Sequence, residues 1–420
     1  MDERAGGGAL TGGFRIPVLL LVIGSAGLRA QALEDVLVYG QNGTHPAVIL
    51  RELEIGAGSR FDDFLLRRER DWLIRLDFLK RIDFLIKSGS APGRQILMIV
   101  IRERKPFSFS PSLDVDDRFG LSQGGSVTAP NMWGRRERIR ISGMAGGFRQ
   151  LDVSWKNPWL AGPLHLFIEI RAGYRNFDYL YPDWNRPFRE TDLTAGAVFG
   201  RQWGRRIRTG AGIGFERIRV SDPEVALSGA NKDDIPVFSL FAEYDSRDWP
   251  FYPRTGLFWR SGADQYHLPS DGGLRRTFMD LRSYVPIGGQ QVLALQIAGR
   301  FSQGRTPVYK RVHLGGSRTV RGYATGKEAG ENIVHASLEY RFPWLYERNP
   351  SAGLHFGING VFFVDAGAVW WNEQHFDLKS VRGSAGFGVH LIWDQWVIRA
   401  EYGAHGRDWG FISTGTDLKF

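Results

Sequence analysis

No cysteine occurs in the 420 residues. That absence excludes disulfides, thiolate metal sites and lipid attachment at a cysteine. Long apolar runs are missing too: beyond the N-terminal segment no stretch of roughly twenty apolar residues exists, so no helical membrane span is encoded there. Enzyme signatures are equally scarce. The nine histidines form no His-Glu-x-x-His pair, and no Gly-x-Ser-x-Gly elbow is present. Gly210-Ala211-Gly212-Ile213-Gly214 resembles a phosphate loop only superficially, because it lies within a strand pattern. The reading is of a non-enzyme without cofactor or metal. A long basic run is also absent, the 54 Lys and Arg being spread among 45 Asp and Glu. The net charge of +9 therefore gives no footprint for nucleic acid.

What is present is alternation. From about Pro106 to Phe420 the chain keeps returning to segments in which every second side chain is apolar. Leu164, Leu166, Ile168, Ile170, Ala172 and Tyr174 share one face of such a segment, with His165, Glu169, Arg171 and Arg175 on the other. A period of two means a strand between unlike environments. With 53 glycines, 13% aromatics and a mean hydropathy of -0.25, the pattern is that of a transmembrane β-barrel whose alternate side chains meet lipid and a wet lumen. Lumenal and headgroup contacts account for the basicity. At the other end, Arg15, the apolar stretch Ile16 to Leu28 and the small-x-small site Ala30-Gln31-Ala32 read as a secretory signal peptide over 1–32.

Residues 33–105 carry a different pattern, that of a small soluble α/β unit. Val36 to Tyr39 predicts a strand, and Thr44 is placed to cap a helix starting near Pro46. A second helix is predicted from about Phe61 to Leu76, with Asp62 and Asp63 in its first turn, followed by a hairpin of Arg81 to Lys87 and Gln95 to Arg104. The order is β-α-α-β-β. Residues 106–420 divide at turn signals into about sixteen antiparallel strands starting near Phe107, Phe119, Arg136, Phe148, Leu164, Arg189, Arg206, Ile235, Thr255, Gly273, Gln290, Ile333, Phe356, Val381, Gln395 and Trp409. An even count returns both barrel ends to one side of the membrane. The longest connection, Gln303 to Asn332, then leaves from the opposite side.

The β-α-α-β-β order and Gly40, Leu53, Gly58, Phe61, Leu76, Phe78 and Glu103-Arg104 resemble a POTRA domain, the periplasmic module of the BamA and TamA families. The long connection contains Val320-Arg321-Gly322-Tyr323, similar to the loop of the BamA superfamily that folds back into the lumen. Matching motifs follow in order at Leu338-Glu339-Tyr340-Arg341-Phe342-Pro343 and Phe363-Val364-Asp365-Ala366-Gly367. A further barrel motif precedes them at Asp245, Arg247, Asp248, Tyr252-Pro253 and Gly256. The final alternation, with Gly415, Leu418 and Phe420, resembles the C-terminal insertion signal of outer-membrane barrels. In the motif strands alternation turns Glu339, with His335 and Arg341, and Asp365 toward the lumen. A guanidinium fork from the loop can bridge two carboxylates, so Arg321 is expected to tether the loop to Glu339 and Asp365. In a wet lumen that tether is worth only a few kcal/mol at most.

The resemblance implies a bacterial outer-membrane protein with its POTRA unit in the periplasm. It implies insertion, assembly or translocation of client polypeptides, captured by strand addition to an exposed POTRA edge. Two other readings remain: a two-partner-type secretion pore for a dedicated exoprotein, and a passive porin. Expected partners are outer-membrane lipids and unfolded outer-membrane or secreted clients, with periplasmic chaperones or lipoproteins as candidate accessory factors.

Overall fold

In a computed structural model the described residues are 31–116, 118–160, 162–180, 183–269, 273–349, 354–393, 396–406, 411–415 and 419–420. The expected leader lies almost wholly outside them. The N-terminal unit contains β1 (Gln31–Tyr39), α1 (Pro46–Leu50), β2 (Arg60–Phe61), α2 (Asp63–Leu73), β3 (Leu79–Ser88) and β4 (Arg94–Glu103), in a sheet of order β2-β1-β4-β3. β1 runs parallel to β4, and its helices close a core of Leu33, Ile49, Leu73, Ile82, Leu97 and Ile99. β1 starts two residues before the expected boundary at 33, and Ala32 already pairs with Arg60 and Arg94.

Two local expectations need correction. Thr44 does not cap α1. His45 does, its Nδ1 accepting from the Ala47 amide at 3.3 Å, because Thr44 sits one residue too early and its hydroxyl accepts from Asn131 near the end of a barrel strand. Phe61 belongs to β2 rather than to α2, whose true cap is Asp62, accepting from the Leu65 amide at 2.7 Å. β3 forms one edge of the sheet and leaves Leu85 and Ile86 exposed.

Residues beyond 105 form a 16-stranded antiparallel sheet in sequential order. Strands begin at Ser108, Gly120, Glu137, Arg149, Leu166, Phe188, Ile207, Lys232, Gly256, Leu274, Gln291, Asn332, Leu354, Arg382, Trp396 and Phe411, each within three residues of its expected start. Leu164 and His165 fall outside their strand, since Leu164 ends a short 3-10 turn and His165 takes a left-handed φ of 54°. Alternation holds in space. Ile213, Leu240, Phe362, Val364 and Phe387 are exposed outward, while Glu339, Asp365, His390 and Glu401 are buried inward.

The sheet ends with Ser108–Asp116 at one side and Phe411–Gly415 at the other. Among the described residues no backbone ladder joins these two strands. The N-terminal unit meets the barrel on the turns near 134, 159, 205 and 245. His45 donates its amide to the Gly134 carbonyl at 2.9 Å, and Arg205 binds Glu69 at 2.9 Å and the Glu52 carbonyl at 2.6 Å. Trp159 donates to Glu52 at 3.2 Å, and Arg75 lies 3.6 Å from Asp245. The long connection therefore starts from the barrel end opposite this unit.

Candidate functional site

The connection between the strands Gln291–Gly304 and Asn332–Asn349 is not structureless. It forms a 3-10 turn, Val308–Lys310, and a small hairpin of Val312–Leu314 with Glu328–Gly330. Apolar contacts hold it inside. Val308 joins a cluster with Tyr179, Phe188, Ile235 and Leu274, and fully buried Val320 packs with Leu314, Ile333 and Val369. Tyr323 stacks on His405 at 3.9 Å between centroids, its hydroxyl donating to the Gly383 carbonyl at 3.3 Å.

These contacts deliver Arg321 to the far wall. Its Nε and Nη2 fork onto Asp365, each at 2.8 Å, and its backbone amide donates to the same carboxylate at 3.0 Å. Nη1 reaches Glu339 at 2.8 Å and Glu401 at 2.7 Å, Nη2 also reaches the Ser337 hydroxyl at 2.9 Å, and the guanidinium lies 3.5 Å from the centre of the Phe363 ring. Such a planar five-donor group suits this arrangement as an ammonium would not. Gly322 makes the approach feasible: its φ is +88°, and a Cβ there would lie 2.7 Å from the Gly403 carbonyl carbon.

The expectation of a wet tether is corrected. Arg321, Glu339, Asp365 and Glu401 are all buried, because the connection fills this part of the lumen and leaves no solvent around the charges. Charges so far from water require complete pairing. They have it. Arg341 binds Glu339 at 2.8 Å, Arg399 binds Glu401 at 2.7 Å, His390 meets Glu401 at 3.0 Å, and Lys419 reaches Asp365 at 2.9 Å and the Thr319 carbonyl at 2.7 Å.

Glu401, Ser337, His390 and Lys419 were missed by sequence reasoning. Alternation with Val397, Arg399 and Gly403 marks Glu401 as inward-facing, so a signal existed, but nothing local says that a loop arginine will meet it.

The Asp245, Arg247, Asp248 and Gly256 motif builds a turn on the side of the N-terminal unit. Arg247 forks onto Asp245 at 3.0 and 2.9 Å, and Asp248 accepts the Arg254 and Thr255 amides at 2.9 and 3.3 Å. Gly256 turns the chain with φ +111°, where a Cβ would press on the Ser246 carbonyl at 2.5 Å. The turn projects Trp249 and Tyr252 against Ile392 and Val397, and Tyr252 contacts His390 at 3.3 Å. The Arg341 guanidinium also lies 5.1 Å from the centre of the Tyr252 ring, so two motifs far apart in sequence meet.

Phe420 is folded inward. Its ring packs against Tyr284, Val292 and Ala294 with the Arg341 guanidinium 5.3 Å away, so it is not on the lipid-facing girdle. Gly415 ends the last described stretch of strand, and Leu418 lies outside the described residues. Among the described residues no group of three His, Asp or Glu side chains is placed to hold a metal ion.

Comparison with known proteins agrees with this architecture. The chain is similar to the outer membrane protein assembly factor BamA of Nitratidesulfovibrio vulgaris, 21% identical over 368 residues, and spans 82% of its own length but only 45% of that protein. Among solved structures it resembles BamA from Haemophilus ducreyi lacking POTRA domains 1-3, with a TM-score of 0.61 and 16% identity over 93% of this chain and 85% of that one. It also resembles CdiB from Escherichia coli, with a TM-score of 0.64 and 13% identity over 93% and 77%. These structural likenesses concern the fold. Residues 131–406, most of the barrel, match the Omp85 superfamily domain, and the chain belongs to the Omp85 superfamily.

Proposed function

We propose that this outer-membrane barrel inserts or translocates client polypeptides through a seam between Ser108–Asp116 and Phe411–Gly415, with Arg321 holding the lumenal loop in its working position. The observation that carries the reading is the contrast between seam and wall. Every other neighbouring pair of barrel strands is joined by a ladder, whereas the two end strands have none among the described residues. Unpaired strand edges accept other strands, and here both edges face one another. The loop fills the lumen near the knot, which speaks against a passive porin. In the N-terminal unit, read as a POTRA domain, the β3 edge with exposed Leu85 and Ile86 is suited to bind an unfolded client by strand addition.

The test is a cysteine pair engineered across the two end strands of the otherwise cysteine-free chain. Oxidation should abolish client insertion or export, and reduction should restore it. Full activity with the seam locked would refute the mechanism. Depleting the protein separates the two client classes: broad loss of outer-membrane barrels marks assembly, and loss of one exoprotein marks secretion.

A further inference from the structure

The outer wall carries a cation without an acidic partner among the described residues. In the strand Phe188–Trp203, Arg201 shares the lipid-facing side with Leu193 and Phe199, and it is exposed. Among the described residues it has no acidic partner, unlike Arg189 near the opposite end of this strand, which forks onto Asp178 at 2.9 and 3.3 Å. Its guanidinium lies over the Trp203 ring at 4.2 Å, and Trp203 is held by a 2.8 Å hydrogen bond to Thr209. Stacking orients the fork while leaving its donors unused.

Beside Arg201 runs an apolar groove of about 830 Å³. Cross-strand pairing places Leu166, Arg201, Thr209, Ala242 and Ser261 in one row around the wall. The next row toward the membrane centre rises to Phe199 and Leu240. The row on the other side, Trp203, Ile207 and Tyr244, ends at the turns that meet the N-terminal unit. The groove thus opens on hydrocarbon and has Arg201, unpaired among the described residues, with an interfacial tryptophan at the periplasmic edge of the apolar band.

We propose that this groove is a binding site for an anionic phospholipid of the periplasmic leaflet. The headgroup phosphate pairs with Arg201 and an acyl chain lies between Phe199 and Leu240 over Thr209 and Ala242. The occupant follows from charge and depth. A guanidinium at the hydrocarbon edge needs a counter-ion that none of the described residues supplies, and a phosphodiester offers oxygens matched to its fork.

The test is native mass spectrometry of the full chain extracted from vesicles of equimolar phosphatidylethanolamine and phosphatidylglycerol. The wild type should retain phosphatidylglycerol preferentially. Arg201→Gln should reduce that preference about tenfold, as expected for one lost charge-assisted contact, while Arg201→Lys keeps most of it. Ala242→Phe, which fills the groove from the lipid side without touching the lumen, should lower retention of both lipids. Heat-modified electrophoretic mobility checks that each variant is folded. Equal retention of the two lipids by the wild type, an unchanged preference in Arg201→Gln, or a dimer that Ala242→Phe dissolves would each overturn the assignment.

Discussion

The Arg321 knot and the contact between the N-terminal unit and the barrel use the same chemistry, arginine on carboxylate, but differ in where the water is. In the knot both partners are dry: the side chains of Arg321, Glu339, Asp365 and Glu401 are at most 1% exposed. Where Glu52 and Glu69 meet the barrel, only the carboxylates are dry. Glu52 and Glu69 are 2% and 0% exposed, yet their partners Arg136 and Arg205 keep 27% and 13%. A pair with no access to solvent has no substitute when one partner is removed, whereas a partly wet arginine trades protein for water at little loss. The knot should thus tolerate loss of a partner less well than the domain contact does.

The sharpest way to break this comparison is Arg321→Ala. It leaves Glu339, Asp365 and Glu401 without their shared cation and should cost about 3–5 kcal/mol, seen as rapid proteinase K cleavage within 304–332. A resistant loop would mean that the apolar anchors around Val320 suffice. Next in size is Gly322→Ala, where a side chain at φ +88° presses on the Gly403 backbone. It should cost about 1–3 kcal/mol with the charges intact, read as faster amide exchange through the same loop.

Arg205→Ala belongs to the domain contact and should weaken docking by about 1–2 kcal/mol. Residues 33–105 should become more accessible to protease while the barrel keeps its heat-modifiable mobility. Added salt should weaken this docking and leave the knot unchanged. If salt loosened both equally, the contrast in burial would have no functional meaning.

The smallest effect concerns pH at the outer end of the loop. Burial pushes the Asp183 carboxyl up, but hydrogen bonds and charge from His313 and Arg311 outweigh it and hold the group below its usual value. A depressed folded value means that the contribution is complete above the unfolded carboxylate range and is lost as pH falls through the folded value. Protection of the Val308–Leu314 amides, taken relative to their intrinsic exchange at each pH, should therefore stay constant from neutral pH into mild acid and fall only below the ordinary carboxylate range. Asp183→Asn should show the faster exchange already at neutral pH.

How much of this was legible depends on the range of each interaction. Strand starts were readable because lipid and lumen impose a period of two on neighbouring residues, and that pattern survives any error in the overall shape. Glu339 and Asp365 were readable for the same reason, with Arg321 marked by its motif. Thr44 misled because a good capping residue was taken up by Asn131, 87 positions away. Lys419 was invisible because no pattern signals that the chain turns inward near its last described residues.

The sequence by itself determined that these residues form strands, which face of each strand is polar, and that a small α/β unit precedes them. Those properties follow from side chains within a few positions of one another. Closure decided the rest. Only the barrel brings Glu401 opposite Arg321, sets Tyr252 beneath His390, and leaves one pair of end strands without a ladder among the described residues. Each depends on register summed around sixteen strands rather than on any local preference. The inserted connection dried this part of the lumen, turning lumenal charges into a buried knot around Arg321.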